Sequence, residues 1–122
     1  MVLVPFHSRS HLADLATLSY ARKLLKNGVR IFRYKPSIMH NKTVVIDGNW
    51  GTVGSSNMDS LSFFHNREGN LFIKNVDALA EMEGDFLADL KNSDELTLEY
   101  LNSLPLWKRA AIHAARLCHS FL

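Results

Sequence analysis

Apolar positions along the chain follow two rhythms. Val2-Leu3-Val4 is an unbroken apolar run that stops at Pro5, and β-branched residues followed by one with no amide proton predict a short buried strand. Ser8 and Ser10 then offer N-caps, and Leu15, Leu18, Ala21 and Leu25 recur at three- and four-residue spacing before Asn27-Gly28. Residues 11–27 are therefore expected as a helix stopped by Gly28. Val29 to Lys35 is rich in strand formers and ends at Pro36, so the helix leads into a strand, as in an α/β unit. Thr43-Val44-Val45-Ile46 is a second such run, closed by the turn dipeptide Asp47-Gly48 and followed by Trp50 to Val53. A hairpin over about 43–54 follows. Residues 54–67 read as an ordered polar loop anchored by Leu61, Phe63 and Phe64, and Leu71-Phe72-Ile73 as a further strand. Asp77 can cap a helix whose Leu79, Met82, Phe86 and Leu90 form a core stripe ending near Asn92-Ser93; residues 94–103 are assigned to helix.

Composition narrows the class. The chain has 122 residues, 47% hydrophobic and 21% charged, a globular balance sufficient for one small domain. At this length roughly two thirds of the unfolded chain's surface can be buried, so one core is sustainable and a second catalytic domain is not. Fourteen Lys and Arg against twelve Asp and Glu give a net charge of +2, too mild to mark a nucleic-acid protein. Cys118 is the single cysteine, which excludes an intrachain disulfide and a multi-cysteine metal site and fits a reducing compartment. No apolar run reaches membrane-spanning length, and the N-terminus is too short for a signal peptide. If the chain meets a membrane, it does so from the side. A chain that opens inside a strand also reads as one that has lost its beginning.

The candidate chemistry clusters around the hairpin. His40 and Lys42 stand just before the strand Thr43–Ile46, Asp47 follows it, and Gly54, Ser55 and Asn57 follow the return strand. Residues two apart on an extended chain point the same way, so His40 and Lys42 can address one phosphate, and the hairpin brings Ser55 and Asn57 back towards them. Imidazole, with an unperturbed pKa of about 6.5, can serve as nucleophile or proton donor near neutrality. A lysine, a hydroxyl and an amide supply charge and donors where phosphoryl oxygens gather negative charge.

The spacing H-x-K-x4-D-x6-G-S-x-N, filled by His40, Lys42, Asp47, Gly54, Ser55 and Asn57, resembles the HKD motif of the phospholipase D superfamily. The stretch Gly54 to Ser62, followed by Asn66-Arg67-Glu68-Gly69-Asn70, resembles the second HKD motif of bacterial cardiolipin synthases, and the likeness covers roughly residues 2–90. Ser8-Arg9-Ser10-His11, Arg67 and Gly69 depart from the usual pattern. The resemblance implies an α/β sandwich of the phospholipase D type, of which this chain is a single HKD half-domain over 1–92. It also implies phosphodiester chemistry without metal or other cofactor: one histidine attacks phosphorus to form a phosphohistidine and a second protonates the leaving alcohol. Lys42, Ser55 and Asn57 would hold the phosphate, Glu68 would hold the tautomer of His40, and Asp47, at the far end of its strand, would be chiefly structural. His7, His11 and His65 are read as loop or helix-start residues.

Residues 93–122 form an extension, with an amphipathic helix expected over about 106–122. Lys108, Arg109, His113, Arg116, His119 and Ser120 fall on one side, and Trp107, Ala110, Ala111, Ala114, Ala115, Leu117, Cys118, Phe121 and Leu122 on the other; Ile112 breaks the pattern. That is the composition of an interfacial helix attracted to anionic lipid, or of a helix packed on a domain.

The resemblance to cardiolipin synthases implies phosphatidyl transfer between two phosphatidylglycerols, expected at the cytoplasmic face of a bacterial membrane. The partner would be a second HKD domain, from a missing N-terminal half or a homodimer, and nucleic acid is not an expected partner. Two alternatives are a homodimeric single-HKD phosphodiesterase or nuclease, and an inactive truncated remnant that binds lipid.

Overall fold

Ser10 rather than Ser8 starts the first helix, because its hydroxyl accepts from the Ala13 amide. In the computed structural model, which describes residues 1–8, 10–57, 62 and 65–115, contacts gather into two units: Met1–Met39 with Asn92–Leu122, and His40–Lys91.

In the first unit, β1 (Val2–Pro5) pairs in parallel with β2 (Ile31–Tyr34), joined by α1 (His11–Lys26). The helix ends as expected. Gly28 adopts a φ of +80°, its N–H donates to the Leu25 carbonyl and that of Val29 to the Leu24 carbonyl, which satisfies two carbonyls left without helical partners. Residues 94–103 correct the helical expectation: Ser93–Leu96 is a strand, β6, antiparallel to β2. Asp94 and Glu95 are poor strand formers. The residues flanking the neighbouring strand supply the reason they are tolerated, since Arg30 binds Glu95 through two nitrogens at 2.8 and 2.9 Å and Lys35 reaches Asp94 at 2.7 Å. Only then does the chain turn helical, in α3 (Leu98–Ser103), capped by Thr97. Ala21, Ile31, Leu96 and Leu101 form the core of this unit, and Arg33 lies between the rings of Phe6 and Tyr100, 4.3 and 4.6 Å from their centroids.

In the second unit, β3 (Thr43–Ile46), β4 (Trp50–Gly54) and β5 (Asn70–Ile73) form an antiparallel meander, followed by α2 (Val76–Leu90). Asp47 and Gly48 both take positive φ, 53° and 62°, and the Asn49 N–H donates to the Ile46 carbonyl. This is the backbone twist that a tight hairpin requires. The cap of α2 is Asn75, not Asp77, which lies in the first turn. One face of the sheet receives the helix so closely that a Cβ on Gly51 would fall 2.6 Å from the fully buried Leu79 side chain.

The last described helix, α4 (Leu106–Ala115), packs against α1. Its inward face consists of Lys108, Ala111, Ile112 and Ala115. Ile112, which breaks the sequence pattern, is therefore part of the packed face, together with the basic Lys108. Residues 116–122, with Arg116, Cys118 and His119, lie outside the described residues, as do 58–61 and 63–64 of the expected ordered loop. No helix among the described residues is long and apolar enough to cross a membrane.

Candidate active site

The register of the meander decides where the motif residues stand. The Gly54 N–H donates to the Lys42 carbonyl at 3.1 Å and the Ser55 N–H to the Gly69 carbonyl at 3.0 Å, so both ladders run one residue beyond the strands. Lys42, Ser55 and the loop from Glu68 to Asn70 therefore meet at one end of the sheet. Asp47 sits in the turn at the other end, on the order of 15 Å away by strand rise. There it takes the positive φ of the turn.

Ser55 is the hub. Its hydroxyl donates to Glu68 Oε2 at 2.5 Å and accepts from the Gly69 N–H at 3.0 Å. A hydroxyl has one proton to give, and here it goes to the carboxylate. The Glu68 carboxyl is held below the usual glutamate range, first by Ser55, then by hydrogen bonds with Ser62 and Asn66 and by the charge of Lys42, against a partial desolvation that raises it. Sequence reasoning assigned no role to Ser62 and Asn66. The clue was their type, since polar side chains within six residues of a carboxylate in a folded-back loop are its nearest available donors.

Gly54 is required by space. A Cβ there would collide with the Gly69 carbonyl and the Asn70 side chain, which crosses this position to donate from Nδ2 to the Ser56 hydroxyl at 2.5 Å. The Asn57 N–H donates to Ser62 Oγ at 3.1 Å, fixing the start of the loop, while Asn57 itself stays exposed. His40 is exposed, and its carbonyl accepts from Lys42 Nζ at 2.9 Å, so the ammonium folds back beside the histidine. Among the described residues the carboxylate partners of Glu68 are Ser55, Ser62 and Asn66. A cation, an anionic acceptor, a hydroxyl and an exposed imidazole thus share one stretch of chain, a set suited to binding a phosphodiester and moving protons at its oxygens.

The family model described as "Cardiolipin synthase, PLD-like domain" matches residues 1–90. This chain belongs to that family. The match includes every motif residue from His40 to Asn57 and also Glu68. The chain is 32% identical over 121 residues to a cardiolipin synthase of Geobacillus sp. (strain WCH70), covering 99% of this chain and 24% of that protein. It is 36% identical over 96 residues to the probable cardiolipin synthase YwiE of Bacillus subtilis (strain 168), covering 79% and 19%. With a cardiolipin synthase of Listeria monocytogenes serotype 4a (strain HCC23), the identity is 35% over 121 residues, covering 99% and 25%. The chain thus spans about a fifth to a quarter of the length of these curated relatives. No solved structure matches it. Within the family domain, the mixed α/β character of the chain stands, with two three-stranded sheets among the described residues.

Proposed function

We propose that this chain supplies the second His-Lys-Asn set of a cardiolipin-synthase-type site, in which a phosphatidyl group passes from one phosphatidylglycerol to another. The observation that carries the reading is the convergence of Lys42, Ser55 and Glu68 at one sheet end, with His40 exposed beside Lys42. In the first step, a histidine of the other set attacks phosphorus and the bond to the glycerol headgroup breaks; His40, as imidazolium, gives the departing oxygen its proton. In the second step, neutral His40 takes a proton from a hydroxyl of the incoming phosphatidylglycerol, whose oxygen attacks the phosphohistidine and frees the first histidine. Lys42 and Asn57 bind the phosphoryl oxygens. Ser55 joins them only when its hydroxyl turns its hydrogen bond away from Glu68; otherwise it sets the position of the carboxylate, which in turn orients His40.

The remaining parts of the reading follow from the same family. Residues 1–92 are the HKD half of an α/β sandwich, the substrate is an anionic phospholipid, and the protein works peripherally on the cytoplasmic side of the membrane. The second HKD set comes from another domain or another copy.

The test is His40→Ala in an assembly that carries both sets, assayed for release of glycerol from phosphatidylglycerol dispersed in detergent. Turnover is expected to fall by about 10³-fold or more, in the range seen when a catalytic acid–base residue is removed. Unchanged turnover would remove His40 from the chemistry and the reading with it.

A further inference from the structure

The outer side of α4 leaves an apolar step uncovered beside positive charge. Leu106 is 79% exposed and Trp107 71% exposed, although a leucine and a tryptophan normally gain by leaving water. At 100° per residue, Leu106, Trp107, Ala110 and Ala114 fall within one arc of the outward side, and the exposed Arg109 and His113 flank it. From Tyr100 to Leu122 the sequence contains no Asp or Glu, and on the described outward side the charge comes from Arg109. The opposite side of the helix is already engaged with α1.

We infer that this outward side of α4 is a membrane-contact surface, with Leu106 and Trp107 entering the headgroup boundary of a bilayer and Arg109 facing anionic lipid phosphates. Charge selects the occupant: a stretch with basic groups and no acid is drawn to an anionic surface. Indole, apolar in its body and polar at its N–H, is suited to that boundary. No helix among the described residues is long and apolar enough to cross a bilayer, so the proposed contact is along the side of α4. The choice of a bilayer over a protein rests in part on the lipid substrate of the proposed function.

The experiment uses the chain carrying Trp50→Phe, which leaves Trp107 as its single indole. It is mixed with vesicles of phosphatidylcholine alone or of phosphatidylcholine and phosphatidylglycerol in equal parts. Trp107 emission is expected to shift to the blue with the anionic vesicles. Co-sedimentation is expected to weaken about 10-fold or more when both Leu106→Ser and Trp107→Ser are introduced. Arg109→Gln is expected to weaken it about 5-fold on anionic vesicles and to leave phosphatidylcholine binding unchanged. These side chains are exposed, so the circular dichroism and thermal unfolding of the variants should match the parent. Unchanged emission together with unchanged co-sedimentation overturns the inference. So does a parent that self-associates in sedimentation equilibrium and loses that association with Leu106→Ser, since the surface would then serve a second copy. His40→Ala keeps vesicle binding in either case, so lost turnover with retained binding counts against the transfer reading alone. Lost binding with retained turnover in detergent counts for the surface.

Discussion

At the scale of single residues, the bond from Ser55 to Glu68 makes the sharpest prediction. A glutamate ordinarily titrates near 4.3, and Glu68 is held lower in the folded chain, chiefly by the Ser55 hydroxyl. A carboxyl whose pKa is depressed by folding adds stability that is complete above the ordinary value and is lost as pH falls through the depressed one. Ser55→Ala removes the largest cause, so the titration of Glu68, followed by carboxyl NMR, should move up towards the ordinary range. The acid limb of any activity that needs the anion should move with it. Ser55→Thr keeps a hydroxyl and should keep the low value. If Ser55→Ala leaves the Glu68 midpoint where it was, the hydrogen bond has no part in setting that charge.

At the scale of elements, the end of the β4–β5 ladder depends on a missing side chain. In Gly54→Ala the new Cβ would lie 2.7 Å from the Asn70 Cα, with the Gly69 carbonyl nearer still. Backbone cannot yield as cheaply as the tip of a side chain. The expected cost is about 1–3 kcal/mol, as for overpacking elsewhere, and a urea unfolding curve would read it as a lower midpoint at unchanged slope. A variant as stable as the parent would mean that the strands part at this point without penalty. The hairpin turn was legible beforehand from Asp47-Gly48, because few other residues accept positive φ at two successive positions. The helix stop at Gly28 was legible for the same reason. The strand Ser93–Leu96 was not, since its two acids favour pairing only when Arg30 and Lys35 flank the neighbouring strand, and a partner more than fifty residues away leaves no periodic trace.

At the scale of the whole molecule, the chain carries one motif set where the proposed two-histidine reaction needs two. The purified chain alone should therefore release no glycerol from phosphatidylglycerol, and activity should appear when a partner bearing the other set is supplied in trans. Sedimentation run alongside the assay separates a second copy from a different domain. Steady transfer by a strictly monomeric chain would contradict the two-set mechanism. His40, Lys42, Ser55, Asn57 and Glu68 all fall within the unit His40–Lys91.

The sequence by itself determined the motif and most of the elements, because residue type and short spacing carry that information. Turn dipeptides, apolar periodicity and the run from His40 to Asn57 are local signals. Only the tertiary structure decided which partners each group takes: that the Ser55 hydroxyl donates its hydrogen bond to Glu68, that Ser62 and Asn66 join them, and that Ile112 faces inward while Leu106 and Trp107 stay exposed. A hydroxyl can bind a phosphate or a carboxylate equally well, and a helical wheel has no mark for the side on which its neighbour lies. Both choices are set by what the fold brings within reach.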